Sequence, residues 1–351
     1  MDFAPSVCPG PRNLITDVDG IRVGNVACES VRSGVSVVLP DERAVAGCDV
    51  RGGAPGTRDT DALDPTCLAD AVDAVVLSGG STYGLEAASG VVAWMGHRGR
   101  GFSLGVTPKV SPVVPGAVLF DLPNGGDKDW KEMPPYRAWG LEACNIAGSE
   151  FALGNAGAGM GALAGDIKGG LGSASAIAGE LQIGALMAVN SFGSAVIPGS
   201  THFWAAPYEL NGEFGGYGWP NPFPPASAID PFRHSRLEMA PLAPMAPGGN
   251  TTIGVVAVNA ALTPAEAKRI AIMAQDGMSR ALRPIHSHVD GDVIFVISTG
   301  RVTLPESDRL LHLMRIGSIA ADCVARAIAR GVYAANDMGA APCYRTRFRP
   351  Q

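Results

Sequence analysis

The sequence predicts a fold of the α+β class, and three observations support that prediction. Two short β-rich runs near the start, Gly20–Val26 and Gly34–Pro40, are each bounded by turn residues and are typical of strands. An apolar run at Ala74–Leu77 passes through glycines into a segment from about Leu85 to Met95 that we expect to be helical. The C-terminal part alternates strand and helix patterns, beginning with the continuous β-type run Thr251–Asn259.

The elements after this run are the most sharply defined in the chain. The segment Thr263–Glu266 has an N-cap threonine, a proline at the first helical position and a capping-box glutamate, which predicts a helix to about Leu282. A strand is expected at Val293–Ser298. A second long helix is expected to begin at Pro305 and to end near Arg330.

The middle of the chain is rich in small residues and ends in a proline-rich loop. Small residues fill Gly154–Gly172, a composition that favours close packing between sheets and helices. An apolar run follows at Ile183–Val189. The loop at about 204–249 combines prolines with aromatic residues and is the best candidate for an internal boundary.

Composition excludes several classes of protein. The chain has 351 residues, of which 46% are hydrophobic and 17% charged, so it can bury a large core and is neither disordered nor a coiled coil. Acidic and basic residues nearly balance at 33 and 27 without a basic stripe, so nucleic-acid binding is not expected. The uncharged window Leu181–Tyr208 is interrupted by polar residues and proline, so we do not expect it to span a membrane.

Cysteine spacing and the first residues indicate a cytoplasmic protein. The seven cysteines lie far apart without a C-x-x-C motif, which fits neither a disulfide framework nor a zinc site. The first residues show no secretory signal. Gly157–Gly161 lacks the spacing and the acidic partner of a dinucleotide site, and His286 and His288 lack a third metal ligand. No cofactor or metal is therefore expected.

A hydroxyl residue at the start of a buried strand is the sharpest chemical feature. The flexible segment Gly248–Asn250 leads directly into Thr251. A threonine there can attack the carbonyl carbon of the residue before it, which splits the chain and frees its own α-amine. An ordinary α-amine has a pKa of about 7.7–8.0, so it can serve as general base for the hydroxyl beside it. The alternative interpretation is an ordinary turn before a strand.

Four separated motifs resemble a known family of enzymes. In chain order they are Arg51–Thr57, Gly79–Glu86, Gly249–Val256 and Asp290–Asp292. The resemblance is to the self-processing aminopeptidases, which include L-aminopeptidase/D-amidase-esterases, β-peptidyl aminopeptidases and nylon-oligomer (6-aminohexanoate oligomer) hydrolases. It extends over nearly the whole chain.

This resemblance implies a four-layer αββα sandwich, in which two sheets are covered by helices. It also implies self-cleavage between Asn250 and Thr251. The resulting N-terminal chain, residues 1–250, and C-terminal chain, residues 251–351, are expected to stay associated as a single domain. Homo-oligomers of these pairs are expected, with the aromatic-rich stretch from Trp204 to Phe223 as a contact surface.

The resemblance also assigns roles to two polar residues. Asn190 matches the asparagine that donates an N–H to the tetrahedral oxyanion, a contact whose loss costs about 10²–10³ in rate. Without the resemblance, a cap at a strand end is the favoured interpretation. Lys168 lies near the position of an active-site lysine in nylon-oligomer hydrolases, where a cation close to Thr251 would lower the pKa of its amine. The alternative is a solvated lysine.

The remaining candidates lie in two of the motifs. Asp290 and Asp292 match the acidic pair that nylon-oligomer hydrolases place against the nucleophile; the alternative is a polar turn. β-Peptidyl aminopeptidases instead use a serine and a glutamate here with a serine nucleophile, and Ser287 is the candidate to stand in. Tyr83 belongs to a motif that the family uses near the substrate; the alternative is a buried aromatic residue after a turn.

The expected activity is amide hydrolysis through an acyl-enzyme on Thr251. The first expectation is an aminopeptidase that acts on small peptides or amides with a free N-terminal amine. Three alternatives stay open: an endo-acting hydrolase of 6-aminohexanoate oligomers, an acyltransferase of the ornithine acetyltransferase type, and a non-catalytic scaffold whose chain stays intact.

Overall fold

The computed structural model describes residues 6–230, 232–239, 249–339 and 341–348. In these residues the strands are β1 (Ile21–Cys28), β2 (Ser33–Pro40), β3 (Ala44–Val50), β4 (Thr57–Arg58), β5 (Ala71–Val72), β6 (Val75–Ser78), β7 (Gly116–Val118), β8 (Leu163–Ala164), β9 (Ile167–Lys168), β10 (Gly170–Ala178), β11 (Leu181–Asn190), β12 (Thr251–Ala260) and β13 (Val293–Val302). The α-helices are α1 (Glu86–His97), α2 (Tyr136–Asn145), α3 (Pro264–Ala281), α4 (Arg309–Ala334) and α5 (Tyr344–Phe348).

These strands form two sheets and one small hairpin. The first sheet has the order β1-β2-β6-β7-β4, and the second has the order β10-β11-β12-β13-β3-β5; β8 and β9 form the hairpin. In the second sheet β12 runs antiparallel to β11 and parallel to β13. The start of β12 therefore lies between the end of β11 and the start of β13.

Helices cover the outer face of each sheet. The two sheets face each other across an apolar core that includes Val23 and Leu77 from the first sheet and Val255 and Phe295 from the second. Helices α1 and α2 pack on the outer face of the first sheet, and α3 and α4 pack on the outer face of the second. The predicted αββα sandwich is confirmed, with apolar contacts between every pair of adjacent layers.

Burial on both faces explains the composition of the central strands. All ten residues of β12 are buried, since one face packs on the opposite sheet and the other on the helices. A strand covered in this way has an almost continuous apolar sequence, without the alternation of a half-exposed strand. The small-residue tract that ends at Gly172 allows the expected close packing, because a Cβ at Gly172 would lie 1.8 Å from the carbonyl oxygen of Ala327 in α4.

The best-marked predicted elements are present, and several others were missed. The helix predicted to end near Leu282 is α3, and the Thr263 hydroxyl accepts the N–H of Glu266, as its capping box requires. Strand β3 and helix α2 were not predicted. Strand β3 contains Gly47, where a Cβ would lie 2.4 Å from the backbone nitrogen of Lys268. A side chain here would collide with α3, so the position is glycine. Glycine is uncommon inside strands, and the local sequence therefore does not indicate one.

The aromatic residues near the start of the proline-rich loop do not mark a boundary between domains. Phe203 and Phe214 are buried in the core between the second sheet and its helices, and the ring centroids of Phe203 and Tyr344 lie 4.4 Å apart. These contacts hold the start of the loop against the sandwich. The part of the loop at 240–248 lies outside the described residues. Within the described residues, no helix has both the length and the apolar character needed to cross a bilayer.

Candidate active site

Thr251, the first residue of β12, lies opposite Asn190, the last residue of β11, in the antiparallel register. Side chains alternate between the two faces of a strand. Ile253 and Ala188, each two residues from this pair along its own strand, belong to the core between the sheets. Thr251 and Asn190 therefore both point toward the space between the sheets, at one end of the sandwich.

The peptide bond between Asn250 and Thr251 is held by a nearby loop. The N–H of Gly291 donates to the carbonyl oxygen of Asn250 at 3.0 Å, and the hydroxyl of Thr251 donates to the same oxygen. Asn250 also forms an isolated parallel bridge with Asp290. Thr251 is 2% exposed, so these contacts are shielded from water. A hydroxyl group and a backbone donor thus meet at one carbonyl group.

Gly291 has a steric reason to be glycine. A Cβ at this position would lie 2.7 Å from Thr251 Oγ1 and 2.7 Å from the carbonyl oxygen of Ala54. Both distances are shorter than ordinary contacts to a Cβ atom. Glycine between the two aspartates therefore lets the loop bring its N–H to Asn250 without displacing the Thr251 hydroxyl.

Asp292 fixes the first residues of β12 from the side of the acidic loop. Its Oδ1 accepts the N–H of Thr252 at 2.7 Å. Its Oδ2 accepts the backbone N–H of His286 at 3.1 Å and lies 2.8 Å from the ring Nδ1 of that residue. This buried carboxyl group therefore positions the residue next to Thr251.

Asp290 connects the acidic loop to the end of β11. Its Oδ1 accepts the N–H of Phe192 at 3.2 Å, and its Oδ2 accepts both the N–H of Ser287 at 3.0 Å and the Ser287 hydroxyl at 2.5 Å. Burial and, next, the charge of Asp292 raise the pKa of Asp290 to about 6. In this state the Ser287 hydroxyl binds Asp290, so it supports the acidic loop.

The glycine-rich motif at 51–57 packs along this loop. The N–H groups of Arg51 and Gly52 donate to the carbonyl oxygen of Asp292 at 2.9 and 3.3 Å. The N–H of Ala54 donates to the carbonyl oxygen of Asp290 at 2.8 Å. A Cβ at Gly52 would lie 2.2 Å from the backbone nitrogen of Asp292. The motif therefore holds both aspartates in place through close backbone contacts.

The amide group of Asn190 is bonded at both ends. Its Oδ1 accepts the N–H of Leu163 at 2.9 Å and Nδ2 of Asn124 at 3.3 Å. Its Nδ2 donates to the carbonyl oxygen of Phe120 at 3.3 Å. An amide NH₂ carries two hydrogens, so a second donation toward an oxyanion at Thr251 is chemically available.

Lys168 is buried, and the alternative of a solvated lysine is wrong. Its Nζ donates to the carbonyl oxygens of Gly159 and Gly169 at 2.9 and 2.8 Å, and burial lowers its pKa to about 7. Leu163, which pairs with Lys168 in the β8–β9 hairpin, donates to Asn190. The structure therefore links Lys168 to Asn190 through this hairpin.

Tyr83 lies at the surface, so the alternative of a buried aromatic residue is wrong. It is 47% exposed, and its ring packs edge-on against Trp130 with centroids 5.5 Å apart. A glycine of the same motif has a buried partner, since the N–H of Gly80 donates to Oδ1 of Asp121 at 2.7 Å. Burial raises the pKa of Asp121. Asp121 directly follows Phe120, whose carbonyl oxygen accepts Nδ2 of Asn190. The motif therefore helps to hold this acceptor in place.

Arg236 was not predicted from the sequence. It is buried, its Nε donates to Oδ1 of Asn250 at 3.1 Å, and its Nη2 donates to Oδ1 of Asn124 at 3.0 Å. Because Asn124 also contacts Asn190, hydrogen-bonded side chains connect Asn250 to Asn190. No periodic pattern marks Arg236, since it opens a short 3-10 helix, Arg236–Met239. Its position in the chain before Asn250 was the only available signal.

A second polar cluster anchors the segment that carries Arg236. In the described part of the chain, only Asp166, His234 and Glu238 place three potential metal-ligating atoms within 4.8 Å of one another. The Nδ1 of His234 lies 3.0 Å from Oδ2 of Asp166, and Nη2 of Arg347 lies 3.4 Å from the same oxygen. Because Asp166 is in the β8–β9 turn, these contacts join the Arg236 segment to the hairpin that also contacts Asn190.

The layered fold is shared with a solved structure. The αββα sandwich is similar to the structure of an L-aminopeptidase/D-Ala-esterase/amidase from Ochrobactrum anthropi, described as a variant of the Ntn-hydrolase fold. The similarity has a TM-score of 0.67 and covers 97% of this chain and 92% of the other, at 22% sequence identity. The chain therefore has the fold of the Ntn hydrolases.

Sequence comparison gives the family. The model of peptidase family S58 matches residues 13–343, and the chain belongs to this family. It is 42% identical to an uncharacterized aminopeptidase of Mycobacterium tuberculosis, over 96% of this chain and 98% of the relative. It is 28% identical to a 6-aminohexanoate-oligomer endohydrolase of Paenarthrobacter ureafaciens, over 87% and 80%. The resemblance inferred from the four motifs is confirmed, and the protein is a hydrolase of the aminopeptidase type.

Proposed function

We propose that the chain is an autoprocessed hydrolase whose nucleophile is Thr251 and whose processed form is an aminopeptidase. The observation that supports this proposal most strongly is the meeting of the Thr251 hydroxyl and the Gly291 N–H at the carbonyl group of Asn250. Acyl transfer needs a hydroxyl beside the electrophilic carbon and a donor at the oxygen that gains charge.

Self-cleavage follows from this arrangement in two steps. Oγ of Thr251 attacks the carbonyl carbon of Asn250 while the Gly291 N–H stabilises the oxyanion. The bond between that carbon and the Thr251 nitrogen then breaks. The proton lost by the hydroxyl ends on this nitrogen, which becomes a free α-amine, and the acyl group remains as an ester on Oγ. Water hydrolyses the ester, which restores the hydroxyl and leaves a carboxylate on Asn250.

Turnover uses the same hydroxyl with the new amine. The α-amine of Thr251 takes the hydroxyl proton as Oγ attacks the substrate amide, and then passes it to the leaving nitrogen. Asn190 lies opposite Thr251 and supplies an Nδ2 hydrogen to the oxyanion. Lys168 acts as a positioning residue, because it holds the hairpin whose Leu163 N–H orients the Asn190 amide. Water then releases the acyl group as an acid.

The acidic loop supports a substrate with a free amine. A pKa of about 6 leaves Asp290 mostly ionised at neutral pH, beside the backbone of Asn250. Negative charge there favours an ammonium group on the residue that supplies the acyl group. The name of the 42% identical mycobacterial relative agrees with this choice. This chain is also 28% identical to a 6-aminohexanoate-oligomer endohydrolase, so endo-cleavage of such oligomers is the second candidate function.

An exposed aromatic pair supports the expected homo-oligomer, and the state of the cysteines supports the expected compartment. Trp219 and Phe223 stack with centroids 5.1 Å apart and are each at least 40% exposed, so they are suited to a contact between copies in a homo-oligomer. All seven cysteines are free thiols, which supports a reducing, cytoplasmic compartment.

The intact mass under denaturing conditions tests the proposal. We expect the wild-type chain to give two fragments, the smaller beginning Thr-Thr-Ile-Gly, and Thr251→Val to give one chain of 36.0 kDa. Thr252→Val is the matched control, because the side chain of Thr252 points to the opposite face of β12 and its hydroxyl has no hydrogen-bond partner among the described residues. This control is expected to split normally. A split Thr251→Val protein would contradict the proposal.

A second measurement separates the two candidate substrates. An aminopeptidase releases free amino acids from the N-terminus of short peptides, whereas an endohydrolase shortens long 6-aminohexanoate oligomers without first releasing monomers. Product sizes at early times, measured by mass spectrometry on the processed protein, decide between them.

A further inference from the structure

Asn250 makes three contacts that an N-terminal substrate residue would also need. Its backbone N–H donates to the carbonyl oxygen of Val289 at 3.4 Å, and its carbonyl oxygen accepts the N–H of Gly291 at 3.0 Å. Its side-chain Oδ1 accepts Nε of Arg236 at 3.1 Å. The nitrogen, the carbonyl group and the side chain of one residue thus each have a separate partner.

The chemistry of self-cleavage makes these contacts relevant to turnover. Rearrangement at Thr251 places the Asn250 acyl group on Oγ as an ester and leaves a free α-amine on Thr251. Hydrolysis of a substrate passes through the same species, with the acyl residue of the substrate in place of Asn250. The pocket that holds the Asn250 side chain is therefore the pocket for the side chain of the substrate's acyl residue.

Arg236 is held rigidly in this pocket. Its backbone N–H donates to the carbonyl oxygen of Phe192 at 3.0 Å, and its Nη2 donates to Asn124 at 3.0 Å. It is 7% exposed. Burial lowers its pKa to about 10, so the guanidinium stays charged at neutral pH. His234 lies two residues before Arg236, and its contact with Asp166 in the β8–β9 turn limits movement of the segment.

We propose that Arg236 selects substrates whose N-terminal residue carries a carboxylate or carboxamide one methylene from Cα, which are aspartyl and asparaginyl peptides or amides. The inference rests on the proposed function and specifies its substrate class. The Asn250 side chain has this shape and already bonds to Arg236. A carboxylate makes the stronger, charge-assisted hydrogen bond with a guanidinium, so aspartyl substrates are favoured over asparaginyl ones.

An apolar residue in the same pocket is disfavoured. It would bury the guanidinium against a side chain that accepts no hydrogen bond, and sites built for a hydrogen bond reject analogues that lack the acceptor. We expect aspartyl substrates to exceed leucyl substrates by about tenfold to a hundredfold in kcat/KM, as is typical for one charge-assisted hydrogen bond. The α-amine of the substrate takes the place of the Asn250 N–H, at the carbonyl oxygen of Val289.

The experiment compares four substrates on the processed wild-type protein. Aspartyl, asparaginyl, alanyl and leucyl p-nitroanilides are assayed for kcat/KM, after intact mass has established that the chain is split. Arg236→Gln is expected to lower the ratio of aspartyl to leucyl kcat/KM by about tenfold or more, and this ratio is compared whatever the change in overall turnover. Arg236→Lys is expected to keep part of the preference. Arg233→Gln is the matched control, because Arg233 is an exposed arginine in the same segment.

The outcomes separate this inference from the proposed function. A wild-type chain that stays intact, or a split chain that hydrolyses none of the four substrates, would overturn the proposed function and the inference with it. A split, active protein with equal kcat/KM for aspartyl and leucyl substrates would overturn the inference alone. If Arg236→Gln fails to fold or to split, the wild-type substrate order and the Arg236→Lys variant decide the result.

Discussion

The backbone N–H of Gly291 donates to the carbonyl oxygen of Asn250, and the Thr251 hydroxyl lies beside the same carbonyl group. The two groups come from distant parts of the chain. They meet because β12 and β13 are parallel neighbours, so the loop that leads into β13 lies beside the start of β12. The sheet topology, more than the local sequence, therefore brings these two groups together at Asn250.

The first prediction concerns the glycine of this pair. Gly291→Ala would place a Cβ 2.7 Å from Thr251 Oγ1, so the loop or the hydroxyl must move. We expect self-cleavage to slow by about 10²-fold, the scale of losing one oxyanion donor. A time course of fragment formation by gel or mass spectrometry measures the rate. Gly96→Ala is the control, because a Cβ at Gly96 meets no atom within 4 Å. Normal splitting of Gly291→Ala would show that this contact is dispensable.

The second prediction concerns Asn190. Asn190→Asp keeps the size of the side chain but replaces the donating NH₂ by a carboxylate oxygen, which cannot stabilise an oxyanion. We expect kcat/KM of the processed protein to fall by about 10²–10³-fold. Asn259→Asp makes the same change at a buried asparagine near the other end of β12 and tests for a general effect of the charge. Activity of Asn190→Asp within about threefold of wild type would exclude the oxyanion role.

The sequence predicted the site better where neighbouring residues carry the signal. Thr251, Asp290 and Asp292 lie in short motifs, and the structure brings these motifs together. The capping box of α3 is a local pattern of three residues, and it is present as predicted. These predictions succeed because each depends on a few adjacent residues.

Features that depend on tertiary contacts were harder to predict. Gly47 lies in the middle of β3 so that α3 can approach, and a local pattern cannot distinguish such a glycine from a turn. Arg236 opens a short 3-10 helix, and its contact with Asn250 depends on how that helix packs onto the β8–β9 hairpin. The burial of Lys168 likewise depends on packing around the β8–β9 hairpin, since its local sequence is rich in glycine and polar residues.

The third prediction is an acidic limit on activity near pH 6. Burial and the charge of Asp292 raise the pKa of Asp290 to about 6, and the Ser287 and Phe192 donors oppose this shift. A protonated Asp290 cannot attract an ammonium group, so kcat/KM for amine-bearing substrates should fall as the pH drops through 6. His286 contacts Asp292 and would partly cancel its charge when protonated.

A substitution of the neighbouring aspartate tests this assignment. Asp292→Asn removes the like charge, so the pKa of Asp290 should fall and the acidic limit should move to lower pH. The measurement is kcat/KM between pH 4.5 and 8 for both proteins. An acidic limit that stays in place or moves to higher pH in Asp292→Asn would assign it to another group.

The fourth prediction uses the buried ammonium of Lys168 as a probe of stability. Burial lowers the pKa of Lys168 from an ordinary 10.5 to about 7, so between these values the folded chain binds fewer protons than the unfolded chain. Stability must then rise with pH over this interval, by up to about 1.4 kcal/mol per pH unit. Lys168→Met removes this contribution, so the difference in unfolding free energy between wild type and variant should grow in favour of wild type from pH 7 to pH 9.

Denaturant unfolding of proteins in the same state of cleavage measures this difference. The control is Lys109→Met, at an exposed lysine, which should show no such trend. A constant difference across this range would mean that Lys168 keeps an ordinary pKa despite its burial in the β8–β9 hairpin.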